Sequence, residues 1–209
     1  MKKETCCFTG HRKIRKEDEA AIRAKIREQV LPLLEQRVSA FMVGGAMGFD
    51  MLAAETLLDM REKEGKELRL VSALPFLQWR ENWPREAVVR EDRILQGSDE
   101  ILISAGSYSR QSYLHRDRRM VDASCVCVAY CTRRGGGTAY TVRYAIRRGV
   151  PVVNIADWDI GQLADDQEEP VPRKRKKAEE GQEGPEYEQL HMFADIVGKQ
   201  ELRMKGEGI

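Results

Sequence analysis

The chain has 209 residues, 42% of them hydrophobic and 33% charged, which is enough for one domain with a sizeable core but not for two. Lysine and arginine number 35 against 34 aspartates and glutamates, so the overall charge gives no argument for nucleic acid or a membrane surface as a partner. The chain also has no run of about 18 apolar residues, so we expect no membrane span.

Short β-rich segments alternate with longer amphipathic segments along the chain. The predicted strands are 5–10, 40–45, 68–74, 100–106, 125–130 and 151–156, and the predicted helices are 17–36, 49–64, 82–97, 111–123 and 138–149. Near-continuous apolar strands separated by helices indicate a parallel sheet with helices on both faces. Right-handed crossovers then predict a Rossmann-like, doubly wound α/β domain over residues 1–157, with the strand order left open.

The composition changes after residue 157. Residues 158–186 are polar, with Pro and Gly among acidic and basic blocks, so we expect a mobile charged linker. Its basic run, PRKRKK, lies between acidic residues and is interpreted as a solvated charge block. The remaining residues, 187–209, form a tail that contains most of the apolar island EYEQLHMFADIV. We therefore expect one folded domain followed by a flexible tail.

Two further features bear on the compartment and on metal binding. The first residues, MKKETCCFTGHRK, begin like the basic region of a signal peptide, but their apolar stretch is too short for one, so we expect a cytoplasmic protein. The 5 cysteines include no second Cys or His pair at zinc spacing. Buried thiols are therefore expected, and no metal site.

Ligands of open parallel sheets bind outside the carboxyl ends of the strands, so the segments that follow the predicted strands are the candidate site. The first strand is followed by TGHR, the second by a glycine turn with an aspartate, and the fifth by TRRGGGTAYT. The candidate ligand-binding residues at these ends are Thr9, Gly10, His11, Arg12, Gly44, Gly45, Gly48, Asp50, Trp79, Arg116, Arg133, Gly135, Gly136, Gly137 and Thr138.

Two glycine-rich turns at the same edge of the sheet favour a phosphate-bearing ligand. Glycine allows positive φ and close backbone approach, and the helix that follows directs N–H groups and partial positive charge outward. Arginines beside the turns supply forked donors for phosphate oxygens. Aromatic side chains in neighbouring loops, including Trp79, offer a surface on which a base can stack.

Several of these residues also have a structural interpretation. Asp50 is either the N-cap of the second helix or a ligand contact. His11 either binds phosphate or caps the next segment, and its place at a strand end favours phosphate. Of Trp79 and Trp83, one is expected in the core, and Glu55 is expected to form an ion pair on a helix face.

Four segments in order resemble the SLOG superfamily, and within it the YpsA-like proteins: FTGHR, GGAMGFDMLAAE, RRMVDASCVCVAY and GGGTAYTVRYAIRRGVPVVNI. The resemblance covers about residues 4–157, and the superfamily also holds DNA-processing protein A and the Lonely Guy phosphoribohydrolases. It implies a Rossmann-like fold whose strand-end pocket binds nucleotides or their derivatives. The first glycine turn and the second glycine turn with its helix both resemble those of DNA-processing protein A.

The resemblance to the phosphoribohydrolases is incomplete. Arg116 and Met120 keep the spacing of an arginine–methionine motif of that family. The family then has a glycine–threonine turn followed by paired glutamates, whereas here Thr138 is followed by Ala139, Tyr140 and Thr141. Because these carboxylates are needed to cleave the N-glycosidic bond, their absence argues against hydrolase activity.

The tail sequence QLHMF resembles the short peptide by which bacterial DNA-metabolism proteins dock onto the replication sliding clamp. The residues at the specified positions are Gln189, Leu190, Met192 and Phe193. A docking peptide beyond a mobile linker can reach a groove on a partner. The alternative is a C-terminal amphipathic helix that packs back on the sheet domain.

Three functions therefore compete. The first is binding or sensing of a nucleotide-derived small molecule, such as an ADP-ribose-like signal, without catalysis. The sequence assigns no cofactor beyond such a ligand. The second is a nucleotide hydrolase or phosphoribohydrolase with another carboxylate. The third is a DNA-processing protein that binds single-stranded DNA and docks on the clamp, against which the near-neutral net charge counts. A homo-oligomer is compatible with each.

Overall fold

The computed structural model describes residues 4–109 and 111–163, in which strands and helices alternate as the apolar periodicity predicts. The strands are β1 Thr5–Gly10, β2 Ala40–Val43, β3 Arg69–Leu74, β4 Glu100–Ile103, β5 Val126–Tyr130 and β6 Val152–Asn154. The α-helices are α1 Glu19–Glu35, α2 Phe49–Glu64, α3 Arg85–Gly97, α4 Ser112–Asp122 and α5 Gly137–Arg147. Short 3-10 helices cover Lys16–Asp18 and Ile160–Leu163.

The strands form one 6-stranded sheet in the order β4-β3-β2-β1-β5-β6, and every neighbouring pair is parallel. The predicted α/β, Rossmann-like, doubly wound fold is confirmed. The order places β1 between β2 and β5, so the chain builds outward from β1 on one side and returns to build on the other. The carboxyl ends of β1 and β5 therefore flank the point at which the strand order reverses, where ligands of such sheets bind.

Local sequence explains where the elements begin and end. β2 ends at Val43, earlier than predicted, because the glycine turn starts at the next residue. Helix α3 begins after Pro84, which has an extended backbone and cannot donate an N–H to a preceding turn. Helix α2 ends at Gly65, whose left-handed backbone with φ of 64° is a common helix C-terminus.

Each face of the sheet packs against its own helices. Helix α1 buries Ile22, Ile26 and Val30, which recur every four residues and form one apolar stripe. This stripe joins α2, α3 and the side chains of one sheet face in a core around Phe8 and Phe41. A second cluster on the other face joins the sheet to α4 and α5. Burial on both faces is what near-continuous apolar strands predict.

Within residues 4–109 and 111–163, none of the helices combines the length and the apolar character that crossing a bilayer requires. The predicted linker from residue 164 onward, the tail and its QLHMF peptide, with Gln189, Leu190, Met192 and Phe193, lie outside the described residues.

Candidate functional site

A cavity of about 550 Å³ opens at the carboxyl ends of β1, β2 and β5. The predicted site residues that line it are Thr9, Gly10, His11, Arg12, Gly44, Asp50, Arg116, Arg133, Gly136, Gly137 and Thr138. Tyr113, one of the aromatic residues expected to offer a stacking surface, also lines it, and so do Lys13, Asp117 and Thr132, which the sequence analysis did not single out. The topology thus brings the loops after β1 and β5 together with the first glycine turn and the start of α4.

The first glycine turn, residues 44–48, is packed against protein atoms. A Cβ on Gly44 would lie 2.7 Å from an Asp50 oxygen, and a Cβ on Gly48 would lie 2.5 Å from the carbonyl oxygens of His11 and Arg12. Gly45 and Gly48 also have positive φ, 59° and 80°. Internal packing and backbone conformation therefore require glycine here, whether or not a ligand binds.

The second glycine turn, residues 135–137, is open instead. Apart from the adjoining backbone, no heavy atom of the described residues lies within 4 Å of the place where a Cβ would stand on Gly135, Gly136 or Gly137. Gly136, with φ of 97°, is the N-cap of α5 and makes no side-chain capping bond. Packing therefore gives no reason for three glycines, and the open space at Gly136 and Gly137 belongs to the cavity.

Asp50 and Arg116 meet at the floor of the cavity. Asp50 lies in the first turn of α2, whose N-cap is Gly48, so the N-cap interpretation of Asp50 is wrong. Its Oδ2 accepts a hydrogen bond of 3.0 Å from the Gly44 N–H, which fixes the turn from the cavity side. Arg116 is buried and its Nη1 lies 3.4 Å from the carbonyl oxygen of Ala73.

Asp117 adds a second carboxylate to this floor. Its Oδ1 accepts a hydrogen bond of 2.6 Å from Arg116 Nε. Its Oδ2 accepts one of 3.1 Å from the hydroxyl of Thr141 on α5. Asp50, Arg116 and Asp117 thus form one charged group, with a single guanidinium beside two carboxyls.

Burial raises the pKa of two carboxyls next to the first glycine turn. The pKa of Asp50 rises to about 7; the Arg116 guanidinium opposes this rise and the Asp117 carboxylate adds to it. Behind the turn, burial raises the pKa of Glu91 to about 8, and Asp50 adds to that rise. Glu91 Oε1 has no hydrogen-bond partner among the described residues and lies 3.2 Å from the place of a Cβ on Gly45.

His11 connects β1 to the second glycine turn. Its Nε2 accepts a hydrogen bond of 3.0 Å from the Thr132 N–H, and its Nδ1 lies 3.4 Å from Thr138 Oγ1. An accepting Nε2 belongs to the neutral ring. Burial lowers the pKa of His11, and the charge of Arg133 lowers it further. The imidazole therefore joins two loops and brings no positive charge of its own.

Exposed cations form the rim of the cavity. Arg12, Lys13 and Arg133 line it from the loops after β1 and β5. The Arg12 guanidinium lies over the ring of Tyr113, 5.2 Å from its centroid, as in a cation–π contact. This end of the cavity is suited to an anionic group.

Some predicted ligand-binding residues do not line the cavity: Gly45, Gly48, Trp79 and Gly135. Trp79 is only 5% exposed, packs with Phe76 and Leu95, and donates its indole N–H to the Gly45 carbonyl at 2.8 Å. It is thus the core residue of the tryptophan pair and supports the glycine turn from behind.

Glu55 forms the expected helix-face ion pair. It is hydrogen bonded to Arg23 of α1 and to Arg90 of α3, the latter at 2.8 and 2.9 Å. Burial favours the neutral carboxyl, but the two arginines prevail and lower the pKa of Glu55. The carboxylate is therefore paired with α1 and α3 and does not line the cavity.

The segments that form the cavity also match a known protein family. The sequence model of the YspA SLOG family matches residues 6–149, more than half of the chain and all of these segments. Among curated proteins, a UPF0398 protein of Brevibacillus brevis is 33% identical over 67 residues, which are 32% of this chain and 35% of that protein. A UPF0398 protein of Bacillus cereus is 24% identical over 131 residues, 61% of this chain and 71% of that protein.

A UPF0398 protein of Halalkalibacterium halodurans is 26% identical over 78 residues and is matched over 41% of its length. The chain thus spans well under two thirds of two of these three relatives. Among solved structures, DNA processing protein A of Streptococcus pneumoniae is similar over 72% of this chain and 58% of its own, with 14% identity and a TM-score of 0.33. From the family match, which confirms the predicted SLOG resemblance, this chain belongs to the YspA SLOG family.

Proposed function

We propose that this protein binds a nucleotide or a nucleotide-derived small molecule, such as an ADP-ribose-like signal, in the strand-end cavity without cleaving it. The observation that carries this proposal is the open second glycine turn. Among the residues that the structure describes, its glycines have no packing partner at their Cβ positions, and it begins a helix whose N-cap makes no side-chain capping bond. Such a helix N-terminus attracts anions through its N–H groups and its dipole.

The rim supports a phosphate as that anion. Arg133 and Arg12 line the cavity beside the turn and offer donors that match phosphate oxygens. The neutral His11 joins the loops that carry both arginines, which preorganises the rim. A volume of about 550 Å³ lies within the range of small-molecule pockets, about 300–1,000 Å³.

The residues after the turn support binding without cleavage. Tyr140 is 2% exposed and its hydroxyl accepts a hydrogen bond of 2.6 Å from Arg118 Nε. Thr141 directs its hydroxyl to Asp117. Neither side chain is a carboxylic acid that could donate a proton to a leaving group at neutral pH.

Thermal-shift screening of a nucleotide and dinucleotide panel, followed by calorimetry of the hits, tests the proposal. Arg133→Ala removes a charged donor from the rim and is expected to weaken binding about 10- to 100-fold. Arg147→Ala, at the far end of α5, is the matched control and should leave affinity unchanged. A ligand that binds both variants as tightly as the wild type would place the pocket elsewhere.

Gly137→Ala tests the turn directly. Apart from the adjoining backbone, a methyl group there meets no atom of the described part of the chain within 4 Å, so the free energy of unfolding should change by less than about 0.5 kcal/mol. The same methyl group enters the cavity and should weaken the binding of a phosphate-bearing ligand about tenfold or more. Unchanged affinity would remove the turn from the binding site.

Single-stranded DNA is the competing ligand, and salt distinguishes it. Binding through several phosphate contacts weakens steeply as salt rises, whereas a small ligand in a fixed pocket responds much less. A labelled oligonucleotide titrated at two salt concentrations, beside the small-molecule hit, decides between them. Tight, steeply salt-dependent DNA binding would overturn the small-molecule proposal.

A second candidate function is hydrolysis of a nucleotide, favoured by the carboxyls of Asp50 and Asp117 on one cavity floor. A carboxyl with a pKa of about 7, such as Asp50, is suited to general acid–base catalysis near neutral pH. Product analysis with nucleoside monophosphates tests it: free base released by the wild type and not by Asp50→Asn would establish turnover. No release from any substrate leaves binding as the function.

Docking of the tail on the sliding clamp stays a proposal. Its residues, from Gln189 to Phe193, lie outside the described residues, and it rests on the QLHMF sequence alone.

A further inference from the structure

We propose that the cavity recognises a ribose phosphate in one orientation, with the phosphate at the N-terminus of α5 and the vicinal sugar hydroxyls on Asp117 and Asp50. This inference rests on the proposed function and specifies its ligand as a ribonucleotide or ribose phosphate, in preference to the 2′-deoxy form. The observation behind this inference is that the cavity has cations at its rim and two carboxyls, Asp50 and Asp117, at its floor.

Helix α5 connects the two ends. Thr138, in its first turn, lies beside His11 at the rim, with a distance of 3.4 Å between Oγ1 and the imidazole Nδ1. Thr141 follows one turn later: its hydroxyl lies 3.0 Å from the Gly137 carbonyl and 3.1 Å from Asp117 Oδ2. Asp117 thus contacts α5 three residues, roughly 4.5 Å along the helix axis, beyond the residue that contacts His11. A pentose ring spans such a step between its phosphate and its hydroxyls.

Asp117 keeps acceptor capacity for a ligand. A carboxylate offers about four acceptor sites, and Arg116 Nε and Thr141 Oγ1 use one on each oxygen. The side chain is 16% exposed, and it lines the cavity. Because both protein donors hold the carboxylate in place, its remaining acceptor sites have a fixed direction.

Asp50 supplies the second acceptor. It is 6% exposed, lines the same cavity, and is held through Oδ2 by the Gly44 N–H. Its charged neighbours are Arg116 and Arg12, which attract it, and Asp117 and Glu91, which repel it. Two neighbouring carboxyls are matched to two neighbouring hydroxyl donors.

Charge then sets the orientation. At the floor, one guanidinium faces two carboxyls and is already hydrogen bonded to Asp117. A phosphate placed there would meet carboxylates, whereas at the rim it meets Arg12, Lys13, Arg133 and the start of α5. Hydroxyl groups are donors, so the floor accepts them.

The test compares ribose 5-phosphate with 2-deoxyribose 5-phosphate, and adenosine 5′-phosphate with its 2′-deoxy form, by calorimetry on the wild-type chain. Loss of one hydroxyl leaves a buried carboxylate oxygen without its partner, so we expect the ribose form to bind about tenfold or more tightly. Because this comparison needs no variant, misfolding cannot confound it. Asp117→Asn and the near-isosteric Thr141→Val should each reduce the ratio, the second by releasing the Asp117 carboxylate.

The outcomes separate this inference from the proposed function. One outcome is that the ribose and deoxyribose forms bind equally, within about threefold, and that both bind more weakly to Arg133→Ala. This outcome would overturn the ribose assignment and leave the proposed phosphate binding intact. A ribose preference that survives Asp117→Asn and Thr141→Val unchanged overturns the role of Asp117. Probes that do not bind, or that bind Arg133→Ala as well as the wild type, overturn the proposed function and this inference together.

Discussion

At the residue scale, the glycines of the two strand-to-helix turns look alike in the sequence but differ in their surroundings. The carbonyl oxygens of His11 and Arg12 lie 2.5 Å from the place of a Cβ on Gly48. On Gly137, no described residue beyond the adjoining backbone lies within 4 Å of that place. The first turn is therefore a packed connection between β2 and α2, and the second is an open one. The open turn is therefore the one that we propose to hold the phosphate, although both turns have glycines and follow a strand.

Gly48→Ala tests the packed turn. The methyl group would collide with backbone atoms and the residue would keep a φ of 80°, so we expect a loss of about 2–4 kcal/mol in the free energy of unfolding. Urea denaturation measures it, with Gly135→Ala, which has open space at its Cβ position, as the control. A Gly48→Ala protein as stable as this control would contradict the packing argument.

Asp50 and Glu91 make stability depend on pH in a defined direction. Their folded pKa values, about 7 and about 8, lie above the ordinary 3.8 and 4.5, so the folded state holds these protons more tightly. The stability that this tighter proton binding gives the folded state is fully present below pH 4. It is lost as the pH rises through the folded pKa of each carboxyl. The stability advantage of Asp50→Asn over the wild type should therefore grow up to about pH 7, and that of Glu91→Gln up to about pH 8.

Chemical denaturation of both variants and the wild type from pH 4 to 9 measures these windows. The advantage should reach a few kcal/mol, since a pKa that differs by one between the folded and unfolded states corresponds to about 1.4 kcal/mol. A difference between variant and wild type that stays constant with pH would show that neither carboxyl titrates as described.

At the element scale, the helices on one face of the sheet are joined by a charged cluster as well as by the apolar core. Glu55 of α2 is hydrogen bonded to Arg23 of α1 and Arg90 of α3, and its side chain is only 24% exposed. Three consecutive crossover helices thus share one carboxylate. Such a paired, partly buried carboxylate contributes more than an exposed ion pair.

Glu55→Gln should therefore destabilise the protein by about 1–2 kcal/mol at pH 7, because two partly buried guanidinium groups lose their anion. The folded pKa of Glu55 is lowered, so this contribution is present above the ordinary value of 4.5 and is lost as pH falls through the folded value. Thermal unfolding at pH 7 and at pH 3 measures both effects.

Glu62→Gln, on the same helix, is the control for that experiment. Its side chain is 61% exposed and lies 3.8 Å from Arg61, so its removal should cost less than about 0.5 kcal/mol. Equal losses in the two variants would show that the cluster has no special role.

At the scale of the whole molecule, the described residues account for the folded domain and the cavity, and the clamp-docking hypothesis concerns residues beyond them. Gln189→Ala combined with Phe193→Ala removes the first and last anchor residues of QLHMF. We expect this change to abolish binding to a bacterial sliding clamp and to leave the melting temperature of the protein unchanged. Surface plasmon resonance on immobilised clamp measures it.

Retained binding in the double variant, or no binding by the wild type, would end the docking hypothesis. A lowered melting temperature would favour the alternative, in which the tail packs on the sheet domain. Nucleotide affinity serves as the internal control, since the cavity is lined, among the described residues, by residues between Phe8 and Thr138.

Sequence periodicity was sufficient for the elements and the fold class. Apolar runs and helical stripes depend on neighbours a few residues away, so the six strands and the α-helices between them could be read within a few residues of their ends. The position of candidate residues at strand ends, where the cavity lies, followed from the same argument. His11, Arg12, Arg133 and Thr138 were found in this way.

Only the tertiary structure decided which side chains meet. Asp117 and Thr141 are 24 residues apart, and no local pattern indicates their hydrogen bond. The same holds for the contact between Trp79 and Gly45, 34 residues apart, which turns a predicted stacking residue into a core residue. Whether a glycine turn is open depends on which distant segments pack against it, as the segment after β1 packs against Gly48. The sequence by itself determined a Rossmann-like domain with two glycine turns, and the packing of distant segments decided which of them faces open space.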